Sequence, residues 1–128
     1  MAQSLILVVD DEPAVRSFVT AILRRAGFQT VEAVDGLDAL EQAQQLEKVD
    51  LLLTDVRMPR MDGIALARAF SQKFPRVPIL FISGYPYDLD ALDRPVGECA
   101  RLTKPFSRPA LLDAVNRCLL PVQASASG

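Results

Sequence analysis

Acidic side chains close two apolar runs of this sequence, and each run has the character of a buried strand. Asp10 and Asp11 follow Leu5–Val9, and Asp55 follows Leu51–Thr54. Carboxylates that share one site repel each other, by roughly 4 kcal/mol for a pair ~4 Å apart at an effective dielectric near 20. A hard divalent cation offsets this repulsion, and Mg²⁺ prefers oxygen ligands of this kind. The three residues therefore predict a cation site, provided that the fold brings them together.

A hydroxyl group and an ammonium group occupy the corresponding places after two later apolar stretches. Ser83 follows Pro78–Ile82, and Lys104 precedes Pro105. Each of these residues also has an ordinary structural explanation, as a helix cap, a turn residue or a surface lysine. Their joint occurrence at successive strand ends favours a shared site instead. A hydroxyl and a lysine beside three carboxylates indicate chemistry on a phosphoryl group as well as on a cation.

Strand-like and helix-like segments alternate along the chain. We predict five strands, at Leu5–Val9, Phe28–Ala33, Val49–Thr54, Pro78–Ile82 and Ala100–Thr103. Amphipathic helices follow most strands, with only a short or irregular fourth helix near Asp88–Asp93 and a last helix that begins after Ser107 and ends at Pro121. This alternation predicts an α/β fold with a doubly wound parallel sheet, for which the flavodoxin-like order 2-1-3-4-5 is common. The carboxyl ends of parallel strands then share one edge, where ligands bind.

Composition limits the classes of protein to consider. The chain has 128 residues, half of them hydrophobic, which suits one domain with a real core. Its net charge of −2 and its lack of basic runs argue against direct nucleic-acid binding. Its apolar stretches are shorter than the ~20 residues of a membrane helix. The N-terminus does not resemble a signal peptide, so we expect a cytoplasmic protein.

The cysteines and the missing histidine narrow the chemistry further. Cys99 and Cys118 lack metal-ligand spacing, so we expect two ordinary reduced thiols. The chain contains no histidine, which excludes Ser-His or Cys-His catalysis and a histidine phosphodonor within it. We expect one domain over residues 4–120 and a flexible tail or linker stub over residues 121–128. Whether this domain stands alone or was cut from a longer regulator or hybrid kinase is open.

Four motifs give the sequence a specific resemblance. They are Val8–Glu12, Leu53–Gly63, Ser83-Gly84 and Lys104–Phe106. In order and spacing, they resemble the receiver domain of bacterial two-component response regulators, and the resemblance covers the chain from about Ser4 to Leu120. It implies a flavodoxin-like fold and a regulatory domain, not an enzyme with its own substrate. Catalysis would be confined to its own phosphorylation and dephosphorylation.

The resemblance also implies a role for each site residue. Asp55 is expected to be the phosphoacceptor. Asp11 is expected to bind Mg²⁺ directly, Asp10 to bind it largely through water, and the backbone carbonyl of Arg57 to be a further metal ligand. Asp55 itself contributes to this metal site.

On the phosphoryl side, the resemblance implies that Lys104 pairs with the phosphoryl oxygens and that Ser83 moves to bond the group on activation. The Lys104-Pro105 bond is expected to be cis. The phosphodonor is expected to be a histidine kinase or a phosphotransfer protein. The downstream output domain or protein is unknown.

Three side chains near the site invite separate hypotheses. The family usually has an aromatic switch residue three places before the lysine, where this chain has Arg101. The usual coupling to the hydroxyl residue is therefore open. Arg57 and Tyr85 are bulky and lie two residues after Asp55 and Ser83, and we hypothesise that they hinder attack by water and prolong the phosphorylated state.

Two alternatives differ in class from a phosphorylation switch. One is a phosphorylation-independent interaction module, which the altered switch position keeps open. The other is a phosphohydrolase with an aspartyl nucleophile. In that class a second aspartate commonly stands two residues after the nucleophile, and Arg57 occupies that place here.

Overall fold

The structure, a computed structural model, describes the backbone of residues 3–84 and 97–127 and the side chains as far as residue 119. The predicted short helix near Asp88–Asp93, and Tyr85, lie outside the described residues. The strands are β1 (Leu5–Val9), β2 (Gln29–Ala33), β3 (Leu51–Asp55), β4 (Ile79–Ser83) and β5 (Glu98–Thr103). The helices are α1 (Pro13–Arg25), α2 (Gly36–Gln45), α3 (Gly63–Lys73) and α4 (Arg108–Ser127).

The five strands form one parallel sheet in the order β2-β1-β3-β4-β5, which confirms the predicted topology. Strands β3 and β4 are buried along their whole length, as a parallel strand covered on both faces must be. Alternate residues of the central strands serve opposite faces. Leu7 and Leu52 pack with α2 and α3 on one face, whereas Val8 and Leu53 pack with α1 and α4 on the other.

Local sequence signals fix where the helices begin and how they are held. Pro13 occupies the first turn of α1, where its missing N–H leaves no bond unmade. Asp35 and Asp62 cap α2 and α3 by accepting hydrogen bonds from the amides of Asp38 and Ala65.

The carboxyl end of α2 is capped from another helix. The Lys73 ammonium of α3 donates hydrogen bonds of 2.8, 2.9 and 3.2 Å to the carbonyls of Ala43, Gln44 and Leu46. The last carbonyls of a helix are short of backbone donors, although that of Ala43 also accepts from the Leu46 amide at 3.2 Å, and a cation there also suits the helix dipole. The bond network ties α2 to α3 on the face of the sheet that both helices cover.

Two expectations are wrong. Helix α4 does not end at Pro121 but continues to Ser127. A proline removes one donor from a helix, yet the alanines at 124 and 126 favour helical backbone beyond it. The division into a domain over 4–120 and a flexible tail over 121–128 stays a prediction.

The second correction concerns the thiols. Cys99 of β5 and Cys118 of α4 form a disulfide, with their Cα atoms 5.3 Å apart. Their separation of 19 residues carries no signal for a bond, because the proximity arises from the packing of α4 on β5. Among the described residues, no helix is long and apolar enough to span a membrane.

Candidate functional site

The carboxyl ends of the inner strands meet at one edge of the sheet. Val9 is the register partner of Thr54, so Asp10 and Asp55 each follow a paired position on neighbouring strands. Asp55 pairs with Ile82, and Ser83 pairs with Thr103. The backbone N–H of Lys104 donates to the Ser83 carbonyl at 2.8 Å. The fold therefore brings Asp10, Asp55, Ser83 and Lys104 to one place, as their positions at strand ends predict.

Lys104 is the cation of this cluster. Its Nζ lies 2.9 Å from Glu12 Oε1, 3.1 Å from Asp55 Oδ2 and 3.2 Å from Asp10 Oδ2. Burial opposes the charge on Lys104, but the hydrogen bond to Glu12 and the charges of Asp55 and Asp10 raise its pKa above the ordinary value. The Lys104-Pro105 peptide is cis.

The contact from Glu12 was missed by the sequence reasoning. Its position directly after Asp10 and Asp11 was the available signal, because a third acidic residue there also lies at the edge of the sheet.

Asp55 is held from both sides. Its Oδ1 accepts a hydrogen bond of 2.8 Å from the Val56 amide, and its Oδ2 accepts one of 3.1 Å from Lys104. The residue is only 5% exposed. Burial and the neighbouring Asp10 charge raise the pKa of Asp55 to about 6, although Lys104 pulls in the opposite direction.

Asp10 is fully buried and has one unsatisfied oxygen. Its Oδ1 accepts a hydrogen bond of 2.9 Å from the Glu12 amide. Its Oδ2 is 3.2 Å from Lys104 Nζ, an ion-pair distance, but it accepts no well-directed hydrogen bond from any described residue. Burial raises the pKa of Asp10 above the ordinary value. A buried carboxylate oxygen without a donor is what a cation ligand requires.

A metal ion fits these residues. Carboxylate oxygens of Asp10, Asp11 and Asp55 all lie within 4.8 Å of one another. Asp11 is exposed, so the cluster opens to solvent and leaves room for bound waters, which Mg²⁺ retains in proteins. A cavity of about 210 Å³ adjoins them, and it is lined by Asp11, Glu12, Asp55, Arg57, Gly84 and Lys104.

The remaining predicted residues lie around this centre. Ser83 is buried at the end of β4, and Arg57 is exposed in the loop after β3. Arg101 lies on β5, where its guanidinium forms an ion pair with Glu98 through Nε and Nη2. The Glu98 side chain is only 2% exposed, so this pair is part of the strand's packing.

This sheet, with acidic residues and a lysine at its carboxyl edge, defines a receiver-type α/β domain. Residues 6–116 match the response regulator receiver domain family, and the chain belongs to that family. It is thus a receiver domain of two-component signalling, a class of regulatory domain.

Relatives of several architectures share this domain. The sensor kinase CckA of Brucella abortus is 37% identical over 116 residues, which cover 89% of this chain and 12% of that protein. The sporulation initiation phosphotransferase F of Bacillus subtilis is 29% identical over 120 residues, covering 93% of this chain and 96% of that protein. The chain thus spans a small part of one relative and nearly all of the other.

Solved structures of receiver domains are also similar to this chain. The chemotaxis response regulator CheY4 of Vibrio cholerae has a TM-score of 0.83 and 31% identity, over 92% of this chain and 100% of that one. The receiver domain of the hybrid histidine kinase CckA has a TM-score of 0.78 and 36% identity, over 91% of this chain and 99% of that one.

Proposed function

We propose that this domain is a phosphorylation-dependent switch that accepts a phosphoryl group on Asp55 with the help of Mg²⁺. The observation that carries the proposal is the position of Asp55, a buried carboxylate between the Lys104 ammonium and the carboxylates of Asp10 and Asp11. In this proposal Asp11 and Asp55 ligate the cation directly, Asp10 ligates it largely through water, and the carbonyl of Arg57 is a further ligand.

The transfer reaction needs little from the protein beyond position and charge. An oxygen of Asp55 attacks phosphorus in line and forms the P–O bond of an acyl phosphate. The bond from phosphorus to the donor histidine nitrogen breaks, and the imidazole keeps the electron pair. Lys104 already lies 3.1 Å from Asp55 Oδ2, so its ammonium is placed to neutralise charge on the phosphoryl oxygens. When bound, Mg²⁺ supplies further neutralisation of the same charge.

Phosphorylation changes the electrostatic balance at the edge of the sheet. The single carboxylate charge is replaced by a larger anion with more acceptor oxygens. Lys104 then gains a stronger partner than Glu12, and Ser83 gains an acceptor at the end of β4. Both changes favour a second arrangement of the loops after β4 and β5, which is a population shift between two states.

Incorporation of phosphate from acetyl phosphate, with and without Mg²⁺, tests this function by intact mass. We expect a Mg²⁺-dependent gain of one phosphoryl group that Asp55→Asn abolishes. Asp113→Asn is the matched control, because Asp113 is exposed on α4 and should be labelled like the wild type. Wild-type protein that stays unlabelled while another receiver is labelled would contradict the proposal and favour the phosphorylation-independent interaction module.

We propose a histidine kinase or a histidine-containing phosphotransfer protein as donor, bound through an apolar groove beside the site. Phe18 of α1 is 46% exposed, and its ring lies 6.1 Å from that of Phe106. The groove of about 530 Å³ between them is also lined by Glu12 and Lys104. A donor must bring its phosphohistidine next to Asp55, so its surface must cover this groove.

Two donors of different size test the groove. Phe18→Ala should slow transfer from a histidine-phosphorylated protein severalfold and leave labelling by acetyl phosphate unchanged, because the small donor needs no groove. Leu37→Ala is the control, since Leu37 is 40% exposed on α2 and does not line the groove. Equal effects of Phe18→Ala on both donors would rule out this docking surface.

We also propose that Arg57 slows autodephosphorylation. The side chain is exposed and lines the cavity beside Asp55, so it stands where an attacking water would approach. Arg57→Ala should therefore speed the decay of phospho-Asp55, with Arg68→Ala, an exposed residue of α3, as the charge-matched control. An unchanged decay rate in Arg57→Ala would contradict this role.

We propose a cytoplasmic location, because donors of this class are phosphorylated there, although a disulfide such as Cys99–Cys118 is uncommon in that compartment. A phosphohydrolase is not supported, because Arg57 stands where that class has a second aspartate.

A further inference from the structure

The loop between β3 and α3 has a backbone conformation that needs an explanation. It connects Asp55 to Gly63 and carries Arg57, whose carbonyl is a proposed cation ligand. Arg60 in this loop has φ of 69°, and it is the single non-glycine residue with positive φ among the described residues. A non-glycine residue in this left-handed region of φ and ψ is destabilised by about 1 kcal/mol or more. Contacts outside the loop must therefore stabilise it.

The main external contact is an ion pair with Asp35, at the start of α2. Nε and Nη2 of Arg60 donate hydrogen bonds of 2.8 and 2.5 Å to Asp35 Oδ2. The other oxygen of Asp35 accepts from the Asp38 amide at 2.9 Å, so the carboxylate also caps α2. The side chain of Asp35 is only 7% exposed, whereas that of Arg60 is 58% exposed. Arg60 therefore reaches from solvent to a carboxylate that the fold has already fixed.

Two glycines allow the β3–α3 loop to pack closely against its neighbours. A Cβ on Gly36 would lie 2.8 Å from the backbone oxygen of Met61, so the loop touches the first turn of α2 directly. A Cβ on Gly63 would lie 2.1 Å from the carbonyl oxygen of Asp55, and the Gly63 amide donates to the Val56 carbonyl at 2.8 Å. The loop is thus confined between the start of α2 and the residue it follows.

The carboxyl end of β2 also contacts the strand end that carries Asp10. The Asp10 amide donates to the carbonyl of Ala33, two residues before Asp35, at 3.3 Å. One short segment, Ala33–Gly36, therefore contacts both the strand end that carries Asp10 and the loop that carries Arg57. A cation site formed from both needs their separation to be fixed.

We propose that Arg60 and Asp35 are positioning residues for the cation site, which hold the β3–α3 loop in place for Mg²⁺ without touching the ion. This inference rests on the proposed function and adds a second layer of residues to its metal site. Groups that orient metal ligands in this way carry tenfold or larger effects on affinity in other proteins.

The proposal predicts an effect opposite in sign to simple electrostatics. Arg60→Gly removes a positive charge, and charge alone would then strengthen Mg²⁺ binding. Loss of positioning would weaken it instead. Glycine adopts positive φ without cost, so this variant removes the ion pair without adding backbone strain. Arg68→Ala, on the exposed face of α3, removes the same charge and leaves the loop intact.

The test is Mg²⁺ binding to the full chain by isothermal titration calorimetry, without any phosphodonor. We expect Arg60→Gly to weaken binding on the order of tenfold, Arg68→Ala to bind as tightly as the wild type or slightly more tightly, and Arg60→Lys to recover part of the loss. In a double-mutant cycle with Asp35→Asn, which keeps a capping side chain, the two losses should not add. Melting curves without Mg²⁺ verify that each variant is folded.

Unchanged or tighter Mg²⁺ binding by Arg60→Gly would overturn the proposal. Acetyl phosphate labelling of the wild type separates this result from failure of the proposed function. If the wild type binds Mg²⁺ and is labelled while Arg60→Gly binds equally well, the positioning role alone is wrong. If the wild type binds no Mg²⁺, both the metal site and its positioning residues are wrong.

Discussion

Asp55→Asn should make the metal-free protein more stable at neutral and alkaline pH. Asp55 is buried beside the Asp10 carboxylate, and the two share one lysine, which is also bonded to Glu12. Asparagine has nearly the same shape and keeps an acceptor for the Val56 amide, but it carries no charge. The substitution therefore removes the cost of burying a charge and the repulsion with Asp10, which together outweigh the attraction to Lys104, and it leaves the packing in place.

The pKa of Asp55 gives both the magnitude and its pH dependence. Asp55 has a pKa of about 6 in the folded protein, against a reference value of 3.8. Between these values the native state binds more protons than the unfolded chain, so the free energy of unfolding falls as pH rises. The ionised group then costs up to about 3 kcal/mol above pH 7, and less than about 1 kcal/mol near pH 4.

Thermal and urea unfolding of both proteins in EDTA, from pH 4 to pH 8, measures this difference. At pH 8 we expect Asp55→Asn to be about 2 kcal/mol more stable, which for a domain of this size raises the melting temperature by roughly 5–10 °C. The gain should shrink towards pH 4, close to the reference pKa of 3.8, where Asp55 is protonated in the folded protein and only partly ionised in the unfolded chain. Added Mg²⁺ should also reduce it, because the cation stabilises the wild type by mass action.

Asp113→Asn is the control for a general effect of lost charge. Asp113 forms an exposed pair with Arg117 on α4, so its removal should change stability by less than about 0.5 kcal/mol. A gain for Asp55→Asn that is the same at every pH, or a loss of stability at pH 8, would refute the claim that burial and the Asp10 charge make ionised Asp55 destabilising.

Three further changes test other parts of the fold. Lys73→Met should destabilise the protein by about 1–3 kcal/mol in urea unfolding, because three carbonyls at the end of α2 lose a charged donor; an unchanged midpoint would contradict this. Reduction of the Cys99–Cys118 disulfide should lower stability by about 3 kcal/mol for a loop of this length, and a Cys99→Ser, Cys118→Ser variant should melt alike with and without reductant. Gly63→Ala should both destabilise the protein and abolish Mg²⁺ binding, because its Cβ would overlap the Asp55 carbonyl; binding at wild-type affinity would contradict this.

Much of the site could be predicted because the carboxyl ends of parallel strands lie along one edge of the sheet, so residues that follow different strands meet there. Once β1, β3 and β4 were assigned, Asp10, Asp55 and Ser83 had to share an edge, whatever the details of packing. The strand limits agree within two residues, because apolar runs bounded by polar side chains define buried strands well.

Other features depend on tertiary contacts that leave no local pattern. The Cys99–Cys118 disulfide could be predicted only from the way α4 packs on β5. The Arg60–Asp35 ion pair joins residues 25 apart in the sequence and depends on the irregular conformation of a loop. Helix α4 continues past the predicted end at Pro121 because the helix propensity of the residues that follow outweighs the one donor that the proline removes.

The ion pairs around Lys104 show why such a site can act as a switch. The Lys104 ammonium forms ion pairs with the three carboxylates of Asp10, Glu12 and Asp55. A buried oxygen of Asp10 still accepts no hydrogen bond from the described residues. The metal-free site is therefore not at an electrostatic optimum, since a single cation cannot neutralise so many anions. A divalent cation would satisfy Asp10, and a phosphoryl group would draw Lys104 away from Glu12. Because the ligands relieve repulsion that the fold imposes, their binding free energy is available to select between two arrangements of the adjoining loops.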